Sequence, residues 1–255
     1  MKVSRKDFLL GVGGVAVGLP LGALAHARAT PGNRSFSQCG EDLVVAFILG
    51  YLGVSDVTYL DIGAFDPILI NNTYLFYMRG FNGVLVEPNP EICKKLRSVR
   101  PDDVTLTAGI GVEDVREADF YQMSDPSWNT FSKEEADHQV KITNGKIYIE
   151  KVLKMPLLDI NRVMAEQFGG APTYVSIDAE GMHFDLLKAI DYKRFRPLVI
   201  CVETLVSGTT ETIPEIAEFM VSRGYAQRGG SFVNSIFVDS EVIARAGSWS
   251  LPQDS

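Results

Sequence analysis

Residues 57–67 read V-T-Y-L-D-I-G-A-F-D-P, and this stretch decides the fold. It begins as an apolar run rich in β-branched and aromatic residues and changes abruptly to an acid and a glycine, which is typical of a buried parallel strand entering a turn. We therefore predict the first strand of an open α/β sheet here. Asp61 would stand at the carboxyl edge of the strand, where such sheets bind ligands. Gly63 has no Cβ, so a ligand could approach its backbone closely.

A second apolar run, G-V-L-V at residues 83–86, is followed by Glu87. An acid at this distance from the first strand can accept hydrogen bonds from both hydroxyls of a ribose, so the two stretches together predict a cofactor with an adenosine group. The first turn lacks the G-x-G-x-x-G spacing of dinucleotide-binding proteins, and Pro67 stands where a third glycine would be expected. S-adenosylmethionine (SAM) is therefore a better candidate than NAD.

Six blocks stand in order along the chain: F-S-Q-C-G-E-D (36–42), Y-L-D-I-G-A-F-D-P (59–67), N-N-T-Y-L-F-Y-M-R-G-F-N-G (71–83), V-E-P-N-P (86–90), R-P-D-D (100–103) and S-I-D-A-E-G (176–181). Together they resemble the FkbM family of SAM-dependent methyltransferases. The resemblance implies a Rossmann-like class I methyltransferase fold, an α/β fold whose mostly parallel seven-stranded sheet has an antiparallel last strand and helices on both faces. It also implies methylation of a hydroxyl on a small molecule or a glycan.

The chain divides into a leader, one large domain and a tail. Residues 1–29 begin with basic residues, continue as a charge-free apolar run and end in small residues. This pattern is typical of an export signal, of possible twin-arginine type, or of a membrane anchor. This leader suggests export, whereas the supply of SAM argues for the cytoplasm. Residues 30–35 are a linker, 36–240 the methyltransferase domain and 241–255 a C-terminal tail. A change of periodicity predicts a small β insertion at about 113–155, where substrate selection is common.

The candidate cofactor contacts in the two strand-edge motifs are Asp61, Gly63, Ala64 and Glu87. Asn72 and Thr73 stand where a helix begins, and free amides at a helix N-terminus can bind an anion such as the carboxylate of SAM. Helix capping alone would also explain both residues. The family resemblance suggests that a helix over residues 38–52 lies above the cofactor mouth, which adds Gln38 as a candidate contact.

Acidic residues also follow two later strands, predicted over residues 173–177 and 198–202. Asp178 and Glu180 follow the first of these strands, and Glu203 follows the second. If the strands are neighbours, the three carboxylates converge and could take a proton from an acceptor hydroxyl or bind Mg²⁺. The alternative interpretation is that Asp178 contacts SAM and that Glu180 caps the next helix.

His183 follows the S-I-D-A-E-G block at a position where the FkbM family commonly has an acid. The role of the family's residue therefore does not carry over to this position. One interpretation is an ordinary helix residue, and the other is a neutral imidazole that acts as the general base.

The net charge of −8 gives no reason to expect a nucleic-acid partner, because neutralising phosphates requires basic clusters. A basic run does occur at Lys94, Lys95, Arg97 and Arg100, but its helical spacing predicts a solvated helix face. The expected partner is the small-molecule or glycan acceptor. Membrane association through the N-terminal segment is a further prediction.

Two other interpretations remain open. An exported protein could keep the fold as a binding module without turnover, which the signal-like N-terminus favours and the intact D-I-G and V-E-P motifs oppose. The same sheet could also serve a nucleotide-sugar or NAD-dependent enzyme, although the missing G-x-G-x-x-G spacing argues against it. A comparison of SAM and NAD binding would distinguish the hypotheses.

Overall fold

The computed structural model describes residues 34–112, 115–179, 181–206 and 209–247. The predicted export signal or anchor, residues 1–29, lies outside the described residues, as do most of the linker and Glu180. Within the described part of the chain, no helix combines the length and the apolar character needed to cross a membrane.

The described elements alternate between strands and helices, as the sequence predicts for an α/β chain. In chain order they are α1 (Glu41–Tyr51), β1 (Tyr59–Ile62), α2 (Tyr74–Met78), β2 (Gly83–Val86), α3 (Pro90–Val99), β3 (Val104–Leu106), β4 (Gly109–Gly111), β5 (Glu117–Met123), a 3-10 turn (Pro126–Trp128), α4 (Lys133–Ile142), β6 (Ile149–Asp159), α5 (Ile160–Phe168), β7 (Tyr174–Ile177), α6 (His183–Ala189), β8 (Val199–Glu203), α7 (Pro214–Ser222), β9 (Tyr225–Gly230), β10 (Asn234–Asp239) and α8 (Ser240–Gly247).

Seven strands form one sheet in the order β3-β2-β1-β7-β8-β10-β9. Neighbours from β3 to β8 run parallel, whereas β10 is antiparallel to both β8 and β9. The predicted Rossmann-like sheet with an antiparallel last strand and helices on both faces is therefore confirmed. The strand order changes direction between β1 and β7, and open α/β sheets bind their ligands at such a point.

The sheet is the middle layer of three, and its central strands are buried on both faces. All four residues of β1 are buried, Asp61 among them, as expected for a central strand that is covered on both faces. Leu60 and Ile62 pack on one face with residues of α5, α6 and α7. Tyr59 packs on the other face with residues of α1, α2 and α3. Two apolar cores thus hold the strand ends at fixed positions.

The predicted insertion folds as β5, the 3-10 turn, α4 and most of β6. Strand β6 lies between β4 and β5 in a separate three-stranded sheet, parallel to β4 and antiparallel to β5. Helix α5 begins only at Ile160, because residues 157–159 pair with Gly109–Gly111. The segment assigned to the C-terminal tail starts as helix α8, in which Ile243 packs against the core.

Arg100 is buried, so the prediction that it belongs to a solvated basic face is wrong. Its guanidinium donates to Asp103 Oδ2 at 2.7 Å, to Asn71 Oδ1 at 3.0 Å and to Thr73 Oγ1 at 2.9 Å. Tyr59 donates its hydroxyl to Asp103 Oδ1 at 2.8 Å. This buried polar network ties the end of α3 to the start of β1 and to the loop between β1 and α2.

Candidate active site

A cavity of about 310 Å³ lies at the carboxyl ends of β1, β2, β7 and β8. The residues that the sequence predicts at these strand ends line it: Gly63, Glu87, Asp178 and Glu203. Gln38, which precedes α1, also belongs to the wall. Glu180, the remaining predicted catalytic residue, lies outside the described residues. A cavity of this volume is of the size at which proteins enclose small molecules.

Gly63, in the turn after β1, packs against the main chain of Asp178, which follows β7. Its φ of +82° lies in the left-handed region, and a Cβ at this position would overlap with the carbonyl oxygen of Asp178. The amide of Gly63 donates to Val86 O at 2.9 Å. A glycine is therefore required here both for its backbone angle and for the close approach of the neighbouring chain.

Glu87 is a buried carboxylate on the cavity wall, with 4% of its surface exposed. Its Oε1 accepts a hydrogen bond from the Asn89 amide at 2.7 Å, and its Oε2 accepts one from the Phe65 amide at 3.1 Å. Burial raises the pKa of Glu87 to about 7, although the two amides favour the ionised form. Each oxygen keeps a lone pair that could accept a ligand hydroxyl.

Asp61 and Ala64 are buried and do not belong to the cavity wall. Asp61 Oδ2 accepts a hydrogen bond from Thr73 Oγ1 at 2.7 Å, and Arg100 donates to the same hydroxyl. Burial raises the pKa of Asp61, while the nearby Arg100 opposes the rise. In this arrangement Asp61 supports the loop that borders the cavity.

Asn72 and Thr73 also lie away from the wall. Asn72 Nδ2 donates to Ser176 Oγ at 3.1 Å. The amides of Thr73 and Tyr74 donate to Asn71 Oδ1 at 3.0 and 2.8 Å, so a side chain already occupies these two donors. Of the two interpretations, anion binding or helix capping, this geometry fits capping, and the side chain that accepts from these amides belongs to Asn71.

The loop between β1 and α2 presents Phe65 and Ile70 to the cavity. Both residues have left-handed backbones, with φ of +46° and +53°. Asn71 Nδ2 donates to Ala64 O at 2.9 Å and to Asp66 O at 3.1 Å, which helps to hold the loop in this shape. Strain of this kind persists where surrounding contacts fix the backbone, and it is frequent at binding sites.

Asp178, His183 and Glu203 form a cluster at the other side of the cavity, with one ligand-type atom of each within 4.8 Å of the others. His183 Nδ1 accepts a hydrogen bond from the Ala179 amide at 3.3 Å. Its Nε2 lies 2.9 Å from Glu203 Oε2. Because an amide only donates, the proton of a neutral His183 must be on Nε2, where it bonds to Glu203.

Asp178 has the environment of a base that titrates near neutral pH. Burial, and then the charge of Glu203, raise the pKa of Asp178 to about 7, while His183 opposes the rise. Asp178 lines the cavity, whereas His183 is buried beneath it. His183 therefore bonds to Glu203, and Asp178 is the other carboxylate residue of the cluster on the cavity wall.

The cluster does not fit a metal site with three protein ligands. A histidine that binds a metal through Nε2 normally donates a proton from Nδ1, but Nδ1 of His183 accepts a hydrogen bond instead. Its Nε2 is taken by Glu203. Mg²⁺, which prefers oxygen ligands, would find two carboxylates among the described residues of the cluster.

The insertion supplies one wall of the cavity, through Phe120, Pro126, Ser127, Asn129, Thr130 and Phe131. The rings of Phe120 and Phe131 have centroids 5.0 Å apart. A Cβ at Gly109 would come within 2.5 Å of the Phe131 ring, so this ring packs directly on β4. The sequence places the insertion near the active face but does not single out Asn129.

Several solved structures resemble the chain. One is a TehB-like SAM-dependent methyltransferase from Corynebacterium glutamicum, with 10% identity, a TM-score of 0.40 and coverage of 85% of this chain and 92% of that one. Another is an O-methyltransferase from Bacillus cereus in complex with SAH, with 14% identity, a TM-score of 0.38 and coverage of 84% and 87%. The fold assignment itself rests on the sheet topology described above.

The sequence comparisons are more specific. No curated protein sequence matches the chain. A family model described as the methyltransferase FkbM domain matches residues 61–226, which is well over half of the chain. The matched region runs from β1 into β9 and contains Glu87, Asp178, Glu203 and the whole insertion. The chain belongs to the FkbM methyltransferase domain family.

Proposed function

We propose that the protein transfers the methyl group of SAM to an oxygen nucleophile, the hydroxyl of a small molecule or a glycan. The observation that carries the proposal is one cavity with Gly63 and Glu87 on one side and Asp178 and Glu203 on the other. A glycine turn and an acid after the next strand suit an adenosine-type cofactor. A carboxylate whose pKa lies near neutral pH can take the proton of a hydroxyl acceptor.

SAM, when bound, supplies a methyl group that a positively charged sulfur has already activated. The residues of the chain then have two tasks: to hold the two reactants in line and to receive a proton. Glu87 can accept hydrogen bonds from ribose hydroxyls through its free lone pairs. Gly63 lines the same cavity and lets the main chain of Asp178 approach closely.

Asp178 is the better general base of the two carboxylates. Both residues line the cavity, but Glu203 is bonded to His183, whereas Asp178 has a pKa of about 7. A base works best when its pKa lies near the working pH. As the acceptor oxygen bonds to the methyl carbon and the carbon–sulfur bond breaks, Asp178 receives the hydroxyl proton. The products are the methylated acceptor, S-adenosylhomocysteine (SAH) and one proton.

The alternative hypotheses differ in what they expect of cofactor binding. A binding module could hold SAM without turnover, whereas an NAD-dependent or nucleotide-sugar enzyme would prefer NAD or a nucleotide sugar. Isothermal titration of the full chain with SAM, SAH and NAD separates these cases. Micromolar binding of SAM and SAH without binding of NAD is the result that we expect. A folded chain that binds none of the three would contradict the proposal.

Glu87→Gln is expected to weaken SAH binding by about 10- to 100-fold, because hydrogen bonds to a charged group contribute about 1.5–3 kcal/mol. In the variant, the NH₂ group of glutamine would also face one of the two backbone amides that now donate hydrogen bonds to Glu87. Titration calorimetry measures the change. Glu91→Gln, an exposed acid on the following helix, is the matched control and should bind SAH like the wild type. If both variants bind SAH with equal affinity, Glu87 does not belong to the cofactor site.

Chelation of divalent cations is expected to leave the methyl-transfer rate unchanged within about twofold. Both ring nitrogens of His183 already have hydrogen-bond partners, so His183 is not available as a metal ligand. The measurement compares initial rates in EDTA with rates in added Mg²⁺ or Mn²⁺, with methyl-labelled SAM and an acceptor found by screening hydroxylated small molecules and glycans. A rate that disappears in EDTA and returns with Mg²⁺ would overturn the metal-independent mechanism. Such a result would leave the assignment of the cofactor intact.

A further inference from the structure

Asn129 has an amide side chain whose orientation is fixed by the chain itself. It follows the 3-10 turn of the insertion and lines the cavity. Its Oδ1 accepts a hydrogen bond from the Met123 amide at 2.9 Å. A backbone amide can only donate, so the oxygen must face Met123 and the NH₂ group must point the other way.

The NH₂ group of Asn129 is buried but has no hydrogen-bond partner among the residues that the structure describes. A buried polar atom without a partner costs about 1–3 kcal/mol and calls for an explanation. The described chain has three other such side-chain atoms, in Thr105, Gln139 and Tyr174, and none of these residues lines the cavity. Asn129 is therefore the one whose missing partner a ligand in the cavity could supply.

The position of Asn129 indicates which part of a ligand it would meet. Along the edge of the main sheet, β3 and β2 lie on one side of β1, and β7 and β8 lie on the other. Asp178 and Glu203 belong to the second side. Phe131, two residues after Asn129, packs on Gly109 of β4, which follows β3. The segment that carries Asn129 thus borders the cavity on its β4 side, beyond Glu87, while Ser132 farther along the segment lies near Gly181.

We propose that Asn129 Nδ2 donates a hydrogen bond to a ring nitrogen of the cofactor's adenine. The inference rests on the proposed function, since it takes the ribose to lie on Glu87. With the ribose there and the reacting sulfur near Asp178, the base extends toward Ile110 and Phe131, both of which line the cavity. Adenine presents unprotonated ring nitrogens at its edges, and each of them accepts one hydrogen bond. The insertion then takes part in cofactor recognition as well as in acceptor selection.

Asn129→Asp isolates this donor, because one carboxylate oxygen can still accept from Met123 while the NH₂ group is lost. We expect the full chain carrying Asn129→Asp to bind SAH about 10- to 100-fold more weakly, since an acceptor would then face an acceptor. Asn129→Ala should lose about 3- to 10-fold. Asn144→Asp, in the same insertion but away from the cavity wall, is the control and should leave the affinity unchanged.

Two further measurements make the test independent of folding. In the wild type, the side-chain NH₂ resonances of Asn129 should move when SAH is added, while those of Asn144 stay in place. SAH analogues with CH in place of one ring nitrogen should identify the bonded atom. The analogue that lacks it should bind the wild type more weakly than SAH does, and Asn129→Ala should bind the two equally.

The outcomes distinguish this inference from the proposed function. If the wild type does not bind SAH, both are contradicted. If the wild type binds SAH, but Asn129→Asp binds it equally well and the NH₂ resonances do not move, the adenine contact is overturned and the proposed function stands. Weaker binding by the folded variants, together with the nitrogen-specific loss, establishes the contact.

Discussion

Replacement of Asp178 by asparagine is expected to lower kcat by about 100- to 10,000-fold, the range over which general-base catalysis contributes. Asparagine has almost the same shape but cannot receive a proton. The contact between Asp178 and Gly63 is made by the main chain, so it persists in the variant. The affinity for SAH should therefore stay within about threefold of the wild type, as judged by the small cost of volume-conserving changes. Initial rates with methyl-labelled SAM and calorimetry with SAH measure the two quantities.

Glu203→Gln is the control for this experiment, because its amide oxygen can still accept from His183 Nε2. Its effect on kcat should be smaller than tenfold, below the range that general-base removal produces. If Glu203→Gln loses more activity than Asp178→Asn does, then Glu203 is the base and Asp178 is a supporting residue. Near-normal kcat in both variants would mean that neither carboxylate takes the proton.

The pH dependence of the wild type gives a second test of the same residue. The value of kcat/KM should rise with pH and level off above about 7, because burial raises the pKa of Asp178 to about 7 and a base acts without its proton. In Asp178→Asn this rise should flatten.

The same pKa affects the pH dependence of stability. An unfolded aspartate has a pKa of about 3.9, so between about pH 4 and pH 7 the folded protein binds a proton at Asp178 that the unfolded chain does not. The free energy of unfolding contributed by Asp178 therefore falls as pH rises from about 4 to about 7.

Arg100→Met is expected to reduce the free energy of unfolding by about 3–5 kcal/mol, the cost of removing one partner from a buried ion pair. The side chains of Arg100 and Asp103 have no exposed surface. Without the guanidinium, the Asp103 carboxylate loses its opposite charge, and Asn71 and Thr73 lose a shared donor. Urea denaturation followed by circular dichroism measures the change. The loop beside the cavity should loosen as well, which weakens SAH binding.

Lys94→Met provides the matched control, since it removes another cation from the same region of the chain. The ion pair of Lys94 with Glu91 is exposed on both side chains, at 69% and 73%. Exposed pairs of this kind contribute about 0–1 kcal/mol. A stability loss for Arg100→Met no larger than that for Lys94→Met would show that the buried network is not what holds the loop.

The main sheet could be predicted from the sequence because parallel strands buried on both faces leave a clear pattern. Strand β1 is apolar except for Asp61 and ends before Gly63, and β2 ends before Glu87. The insertion was harder to place. Leu157 and Leu158 fit the apolar spacing of a helix as well as that of a strand, and only their pairing with β4 makes them part of β6.

The acidic part of the candidate site could be predicted for a similar reason, since neighbouring parallel strands deliver their last residues to the same edge. The structural roles of two other residues depend on partners far away in the chain. Arg100 bonds to Asn71, and His183 bonds to Glu203, so neither role is visible in local spacing. The partnerless NH₂ group of Asn129 is a property of the folded wall alone.

The packing of Gly63 against the main chain of Asp178 has a consequence for how such proteins diversify. A side chain at position 63 would need the space that the Asp178 carbonyl fills, so the turn after β1 and the end of β7 are in direct contact. Neither segment can change its backbone position during evolution without a matching change in the other. The insertion belongs to a separate sheet and is free of that constraint. We therefore expect changes in the insertion, outside Asn129 and Phe131, to alter the acceptor without changing this contact.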